Sequence, residues 1–358
     1  MDERAAPDPT PPRARRRWAW LISGVVLLIV LLLVSAGGGL WWTVRSESGA
    51  AWILSRLPGL QIQGGKGTLW GDYAAERIEF AIPGGGTLVM TDVGWRGMRL
   101  EHAPWTAYRA RVVMDELRAR RVDVTLPPDD GKKEPRKPPE RLQLPVEIDI
   151  RALRVGEVHA PPLRGQPLRD VRAKLHLGSE RGALHRVDEL SLAWDRLKAS
   201  GAAKIASTRP FALDAKVALA QEGGKNLVAW QAAGTLAGPL DEPVLQATLR
   251  ATPSETRPEQ SLELRAALRP FAAWPLGDLQ ASTKALDLSA LHATLPVTAL
   301  SGRAEAKTTG LDQPANVSAR FENADAGRWN EGRLPVRSIE VALSARPQDP
   351  RTLELSRV

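Results

Sequence analysis

Through most of this chain apolar and polar residues alternate one for one. Leu142, Leu144, Val146, Ile148 and Ile150 fall on one face of an extended segment, with Arg141, Gln143, Glu147, Asp149 and Arg151 on the other. Val171, Ala173, Leu175 and Leu177 repeat the pattern against Arg172, Lys174 and His176. So do Leu213, Ala215, Val217 and Leu219, then Leu245, Ala247 and Leu249. Leu262, Leu264, Ala266 and Leu268 follow, opposed by Glu263, Arg265 and Arg269, and the series closes with Ile339, Val341, Leu343 and Ala345. A period of two marks a strand with one apolar and one wet face. Such strands, spaced by Gly, Pro and Asp turns, predict an all-β protein built on an elongated, curled antiparallel sheet.

A weak internal repeat supports the same architecture. Gly234-Thr235-Leu236 precedes a turn with Pro and a strand at 244–250, and Ser301-Gly302-Arg303 precedes Asp312-Gln313-Pro314 and a strand at 316–322. Helical signals after residue 57 are few, with short candidates at 115–121 and 286–291. Helices therefore do not cover the apolar faces, which must pair with each other or leave an apolar trough. A long exposed apolar face marks a binding surface. The candidate lining of a lipid groove is then Leu142, Leu144, Val146, Ile148, Ile150, Val171, Leu175, Leu177, Leu213, Val217, Leu219, Leu245, Leu249, Leu262, Leu264, Leu268, Ile339, Val341 and Leu343.

The N-terminus is built differently. An uncharged run, residues 18–44, follows Arg13, Arg15, Arg16 and Arg17. Residues 21–40 alone would span about 30 Å as a helix, the thickness of a bilayer core. Trp18, Trp20, Trp41 and Trp42 bracket the run as an interfacial belt. The arginine excess before it places residues 1–17, Pro- and Arg-rich and without a foldable pattern, in the cytoplasm, and the bulk of the chain across the membrane. Val34-Ser35-Ala36 offers the competing reading of a cleaved signal peptide, which exports the remainder equally. Residues 46–57 read as a short amphipathic helix stopped by Pro58-Gly59, and 46–126 as that helix plus β-hairpins. Residues 127–140, with five Pro and mixed charge, read as a loop. The repeating sheet then occupies 141–358.

Composition narrows the chemistry. The chain has no Cys, so disulfides, thiolate metal sites and a Cys nucleophile are excluded. Zero Cys in an exported chain of 358 residues leans toward a bacterial envelope protein. The net charge of +8 is spread over alternating positions, and Tyr and Phe number only two and four. Basic stripes interleaved with aromatics are absent, which argues against nucleic acid. A solvated polar face favouring anionic headgroups is the better reading.

No catalytic cluster emerges. His102, His159, His176, His185 and His292 show no metal-ligand spacing and read as surface or strand-face residues. Gly64-Gly65-Lys66-Gly67-Thr68 lacks the first Gly of a phosphate loop and has Gly67 where Ser or Thr should follow the Lys, so it reads as a tight turn. Serine-nucleophile signatures are missing. Asp129-Asp130 and Asp241-Glu242 sit in Pro-rich turns and read as turn formers. Trp70, Trp95, Trp194 and Trp230 read as sheet or core aromatics. The sequence implies no enzyme, cofactor or metal.

One resemblance gathers these features. The order is the Arg-flanked anchor, the helix ending in Leu57-Pro58-Gly59-Leu60, then Gly67-Thr68-Leu69-Trp70-Gly71, a Gly-rich hairpin and Val93-Gly94-Trp95. Leu144-Pro145-Val146, Leu286-Asp287-Leu288-Ser289 and Leu300-Ser301-Gly302 follow. This order resembles the N-terminal part of the TamB proteins (translocation and assembly module subunits, in the AsmA-like group of bridge-like lipid-transfer proteins). Residues 52–100 carry the most specific part. The resemblance implies an inner-membrane anchor in a Gram-negative bacterium and a periplasmic sheet curled into a trough with an apolar interior. Its implied roles are phospholipid movement between inner and outer membrane and outer-membrane protein assembly with the barrel partner TamA. Members of that family are several times longer, so the chain is expected to be a fragment. Two further readings remain: a secretion or assembly factor that binds outer-membrane β-barrel clients or TamA through its sheet edge without moving lipid, and an envelope enzyme or glycan-binding sandwich, which would need a polar pocket.

Overall fold

The computed structural model describes residues 59–82, 85–126, 138–163, 165–223, 228–251, 253, 258–272, 275–291, 295–308, 314–346 and 349–357, the last stretch from 345 as backbone alone. The anchor run, its arginines and tryptophans, the 46–57 helix and most of the 127–140 loop lie outside the described residues. Among the described residues, no helix is long and apolar enough to cross a membrane.

One long curled sheet of nineteen strands dominates the described chain. In order these are β1 (Leu60–Gln63), β2 (Lys66–Gly67), β3 (Gly71–Ile82), β4 (Gly86–His102), β5 (Ala110–Met114), β6 (Glu116–Thr125), β7 (Glu147–His159), β8 (Leu168–Gly178) and β9 (Leu184–Trp194). Then follow β10 (Leu197–Ala206), β11 (Leu213–Gln221), β12 (Trp230–Gly238), β13 (Val244–Ala251), β14 (Gln260–Leu268), β15 (Leu276–Leu286), β16 (Leu300–Lys307), β17 (Ala315–Asn323), β18 (Ser338–Arg346) and β19 (Asp349–Arg357).

Neighbours in sequence pair antiparallel from β7 to β19, as short turns dictate. One step departs from the rule. Strands β5 and β6 together form the partner of the long β4, and both run parallel to β7. A parallel pair needs a crossover. Accordingly Asp123, near the end of β6, lies beside His159, while β7 begins at Glu147 at the opposite rim.

Two expectations are corrected here. The strand read at 142–150 begins at Glu147, so Leu142, Leu144 and Val146 precede it. Pro145 explains the late start, because it has no N–H to give to a ladder. Residues 115–121, a helical candidate, lie mostly in β6. There Leu117 and Ala119 pair with Leu153 and Val155, and long-range pairing overrides local preference. The second helical candidate holds in shortened form, as a one-turn helix at Leu288–Leu291.

The register makes the two faces continuous across strands. On one face runs the row Gly201, Val217, Gly234, Ala247, Leu264, Ala281, Ala304, Ala319 and Val341, each directly opposite the next. On the other runs Ala218, Ala233, Thr248, Glu263, Ser282, Arg303, Arg320 and Glu340. A slip of one residue anywhere would interchange the faces, so the alternation itself pins the pairing.

Candidate functional site: the apolar face

The apolar face is the candidate site, and it collects nearly all the residues expected to line a groove. Ile148 and Ile150 stand opposite Leu177 and Leu175, and Val171 opposite Val155. Leu213, Val217 and Leu219 align with Gly238, Gly234 and Ala232; Leu245 and Leu249 align with Leu236 and Ala232 and, on the next strand, with Ala266 and Leu262. Leu264 meets Ala281, and Leu268 meets Leu276 past a bulge. Ile339, Val341 and Leu343 stand opposite Phe321, Ala319 and Val317.

Their surroundings are those of a single layer. Strands β10, β16 and β17 alternate half-buried apolar residues with exposed polar ones. The extensive contacts between elements are between neighbours in the sheet or with the 179–182 turn. Mid-sheet, Val217 is 43% exposed on the apolar face. Among the described residues, no second layer packs on this aliphatic side chain in the middle of a broad sheet.

The face is not equally open along its length. At the β1–β4 end Tyr73, Ala75, Ile78 and Val93 form a buried cluster with Leu60, Ile62, Leu69, Met90, Trp95 and Ala119 around it. Tyr73 stacks on Trp95 with ring centroids 4.4 Å apart, and Trp95 Nε1 donates to the Leu69 carbonyl at 3.3 Å. Gly65 leaves room for the Tyr73 hydroxyl, which occupies the space a Cβ would need. Val93, at 3% exposure against 43% for Val217, shows that the chain's own side chains fill this end.

Burial raises the Tyr73 phenol pKa above its ordinary value. The stability gained by keeping it neutral is full below about pH 10 and is lost as pH rises through the higher folded value. The chain has two tyrosines, and Tyr108 is exposed. In the Tyr108→Phe protein, phenolate absorbance should therefore develop at higher pH in the folded chain than in urea. Coincident curves would show that the cluster is open to water.

Both rims of the face carry a covering segment. At one, Leu142 N donates to Ser207 O at 3.1 Å, and Tyr108 N to Pro145 O at 3.1 Å. His185 Nδ1 accepts from Gly178 N at 3.1 Å, so its Nε2 carries the proton given to Leu142 O at 2.7 Å. Leu142, Leu144 and Val146 thus belong to a rim strap, with Leu144 exposed. At the other rim the helix Leu288–Leu291 folds over the ends of β11 to β14. Trp230 Nε1 and Gln221 Nε2 both donate to Ala290 O, at 3.2 and 3.4 Å. Trp230 also packs with Leu249, Ala251 and Leu286.

The polar face carries cross-strand ion pairs, as opposite charges in register should. Arg320 reaches Glu340 at 2.7 Å and Lys204 reaches Asp214 at 3.2 Å. One cluster went unread in the sequence. Glu147 and Asp149, expected on a wet face, are buried beneath Trp105, whose Nε1 donates to Glu147 at 2.8 Å. Arg111 donates to Asp149 at 2.6 Å, and His176 Nδ1 lies 3.0 Å from Asp149 Oδ1. Only the folding of residues 103–109 over this patch buries it. Arg111 of β5 bridges both carboxylates of β7, so the cluster reads as a buried network that fixes the parallel step. Among the described residues no group of three or more His, Asp or Glu could hold a metal ion.

Comparison with known protein families, with curated proteins and with solved structures finds no match to this chain.

Proposed function

We propose that this protein is anchored in the bacterial inner membrane by residues 18–44 and carries phospholipid along the apolar face of a periplasmic trough, between inner and outer membrane, without catalysis. The uncovered apolar face is the observation that supports this reading most. Its central row is continuous from Gly201 on β10 to Val341 on β18, and its half-open Leu, Val and Ala side chains offer acyl chains the contacts that a second layer would otherwise supply. Headgroups stay at the rims and in water. The filled β1–β4 end limits where acyl chains can lie, so occupancy begins beyond Val93 and lipid joins the face from the side.

Photo-crosslinkers test this directly. Residues Leu264, Ala281 and Leu219 should capture phospholipid in cells, whereas Glu263 and Arg265 on the opposite face should not. Capture from the polar pair, with none from the apolar set, would end the groove reading.

A second reading is favoured by β1, which pairs with β3 on one side only among the described residues. Such an edge can add a strand from a client β-barrel or a barrel partner of the TamA kind. Crosslinks from Gln61 and Gln63 to protein, with no lipid from Leu264, would select it.

A further inference from the structure

On the polar face, three arginines stand in one row on three adjacent strands. Arg118 of β6 lies directly opposite Arg154 of β7, and Arg154 directly opposite Arg172 of β8. Neighbouring strands are about 4.8 Å apart, so three guanidinium stems fall within roughly 10 Å of sheet. Like charges in register destabilise a sheet. Arg303 and Arg320 also meet in register on this face, but there Glu340 pairs with Arg320 at 2.7 Å. The row of three is the longer run of like charge.

The local acids do not cancel it. Asp92 is held by Arg120 at 2.5 Å. Glu116 is shared between Arg154, at 3.2 Å, and Arg96. Asp170 borders Arg172 in the furrow. Arg96, Arg118, Arg120, Arg154 and Arg172 therefore face only Asp92, Glu116 and Asp170, and neither Arg118 nor Arg172 makes an ion pair among the described residues.

The row lines a real hollow. Asp92 and Asp170 take left-handed backbone conformations, with φ of 49° and 52°, and at Asp170 β8 loses register with β9. A bulge of this kind bends its strand and re-aims side chains. Between these two residues lies a furrow of about 390 Å³ that Gly156 also lines. Through Asp170 and Arg172 it adjoins a depression of about 720 Å³ floored by Ser191, Ser200, Ala218 and Ala233.

We propose that this furrow is a binding site for a ligand carrying two adjacent phosphate groups, with its uncharged remainder over the small-residue floor. Guanidinium forks match phosphate oxygens two at a time, and neighbouring arginines match neighbouring phosphates. The site is on the face opposite the proposed lipid trough and does not depend on that reading.

Inorganic pyrophosphate titrated calorimetrically into the full chain in detergent tests it. One saturable site is expected. Arg118→Ser and Arg172→Ser should each weaken it at least tenfold, whereas Arg303→Ser, from the in-register pair Arg303–Arg320, should leave it unchanged. Without ligand, both furrow variants should melt no lower than the parent, because each removes repulsion, and pyrophosphate should raise the melting temperature of the parent and of Arg303→Ser more than that of either furrow variant. Cardiolipin, a lipid with two phosphates, added in the same detergent separates the sources. Displacement of pyrophosphate from the parent by cardiolipin assigns a lipid headgroup, and undisturbed pyrophosphate binding assigns a soluble phosphate. Absence of saturable binding, or an equal loss in Arg303→Ser, would overturn the site.

Discussion

Replacing Leu264 by Asp should strip the purified full-length protein of most of its bound phospholipid, by on the order of 100-fold. Leu264 sits mid-row on the apolar face between Ala247 and Ala281. An acyl chain passing there gains about 0.8 kcal/mol for each methylene taken out of water. A carboxylate in its path keeps its own hydration shell and displaces several methylenes. Four of them amount to about 3 kcal/mol, and each 1.4 kcal/mol is a factor of ten. The side chain is half-buried in a single layer, so the carboxylate can reach water and the strand can still pair. Arg265→Asp, the next residue on the opposite face, is the matched control. Phospholipid per protein, counted by mass spectrometry, reads the difference. Equal lipid content in Leu264→Asp and the parent would remove the apolar face from the proposed function.

The second large effect is expected from Asp287→Ala. This carboxylate is 1% exposed and accepts from Ser289 N, Ser289 Oγ and Thr298 N at 3.0, 2.8 and 3.2 Å. Thr298 Oγ1 in turn donates to Leu286 O at 3.0 Å and accepts from Leu288 N at 2.9 Å. Gln260, 2% exposed, accepts from Asp287 N at 2.9 Å and ties the turn to β14. The alanine variant leaves buried donors with no acceptor, a penalty of about 2–4 kcal/mol for this group of bonds. The loss should stay local, because β15 and β16 keep their ladder bonds. Amide exchange at Leu288, Ser289 and Thr298 should then quicken on the order of 30- to 700-fold, with the β10–β13 amides unchanged. Unaltered exchange at Thr298 would mean that packing of Trp230 and Leu288, rather than the polar latch, holds the rim.

The strands themselves were legible. Val171 to Leu177, Leu213 to Leu219, Leu262 to Leu268 and Ile339 to Ala345 all lie within strands, with the expected residues sharing a face. The rim was half legible: a short helix was expected near Leu286–Leu291, but not that Gln221 and Trp230, some sixty residues earlier, would bind its Ala290 carbonyl. Leu142, Leu144 and Val146 misled, because their alternation matches a strand while Pro145 and the bonds to Ser207 and His185 make them a strap. The filled β1–β4 end is legible in part: Trp95 reads as a sheet or core aromatic and the Gly-rich segment as a hairpin, but the stacking of Tyr73 on Trp95 depends on the register of β3 on β4.

What the sequence by itself determined is which residues share a face. The side-chain period of an extended chain is two, so the alternation of Leu and Val with Arg, Glu and Lys is a local fact that survives any arrangement of strands. It also determined the absence of Cys chemistry. What only the tertiary structure decided is which strands adjoin and what lies over them. The parallel step between β6 and β7 brings Arg118 against Arg154, a bulge at Asp170 adjoins the furrow beside them, and residues 103–109 bury Glu147 and Asp149. Burial and charge proximity are sums over distant parts of the chain, and no period along one strand carries them.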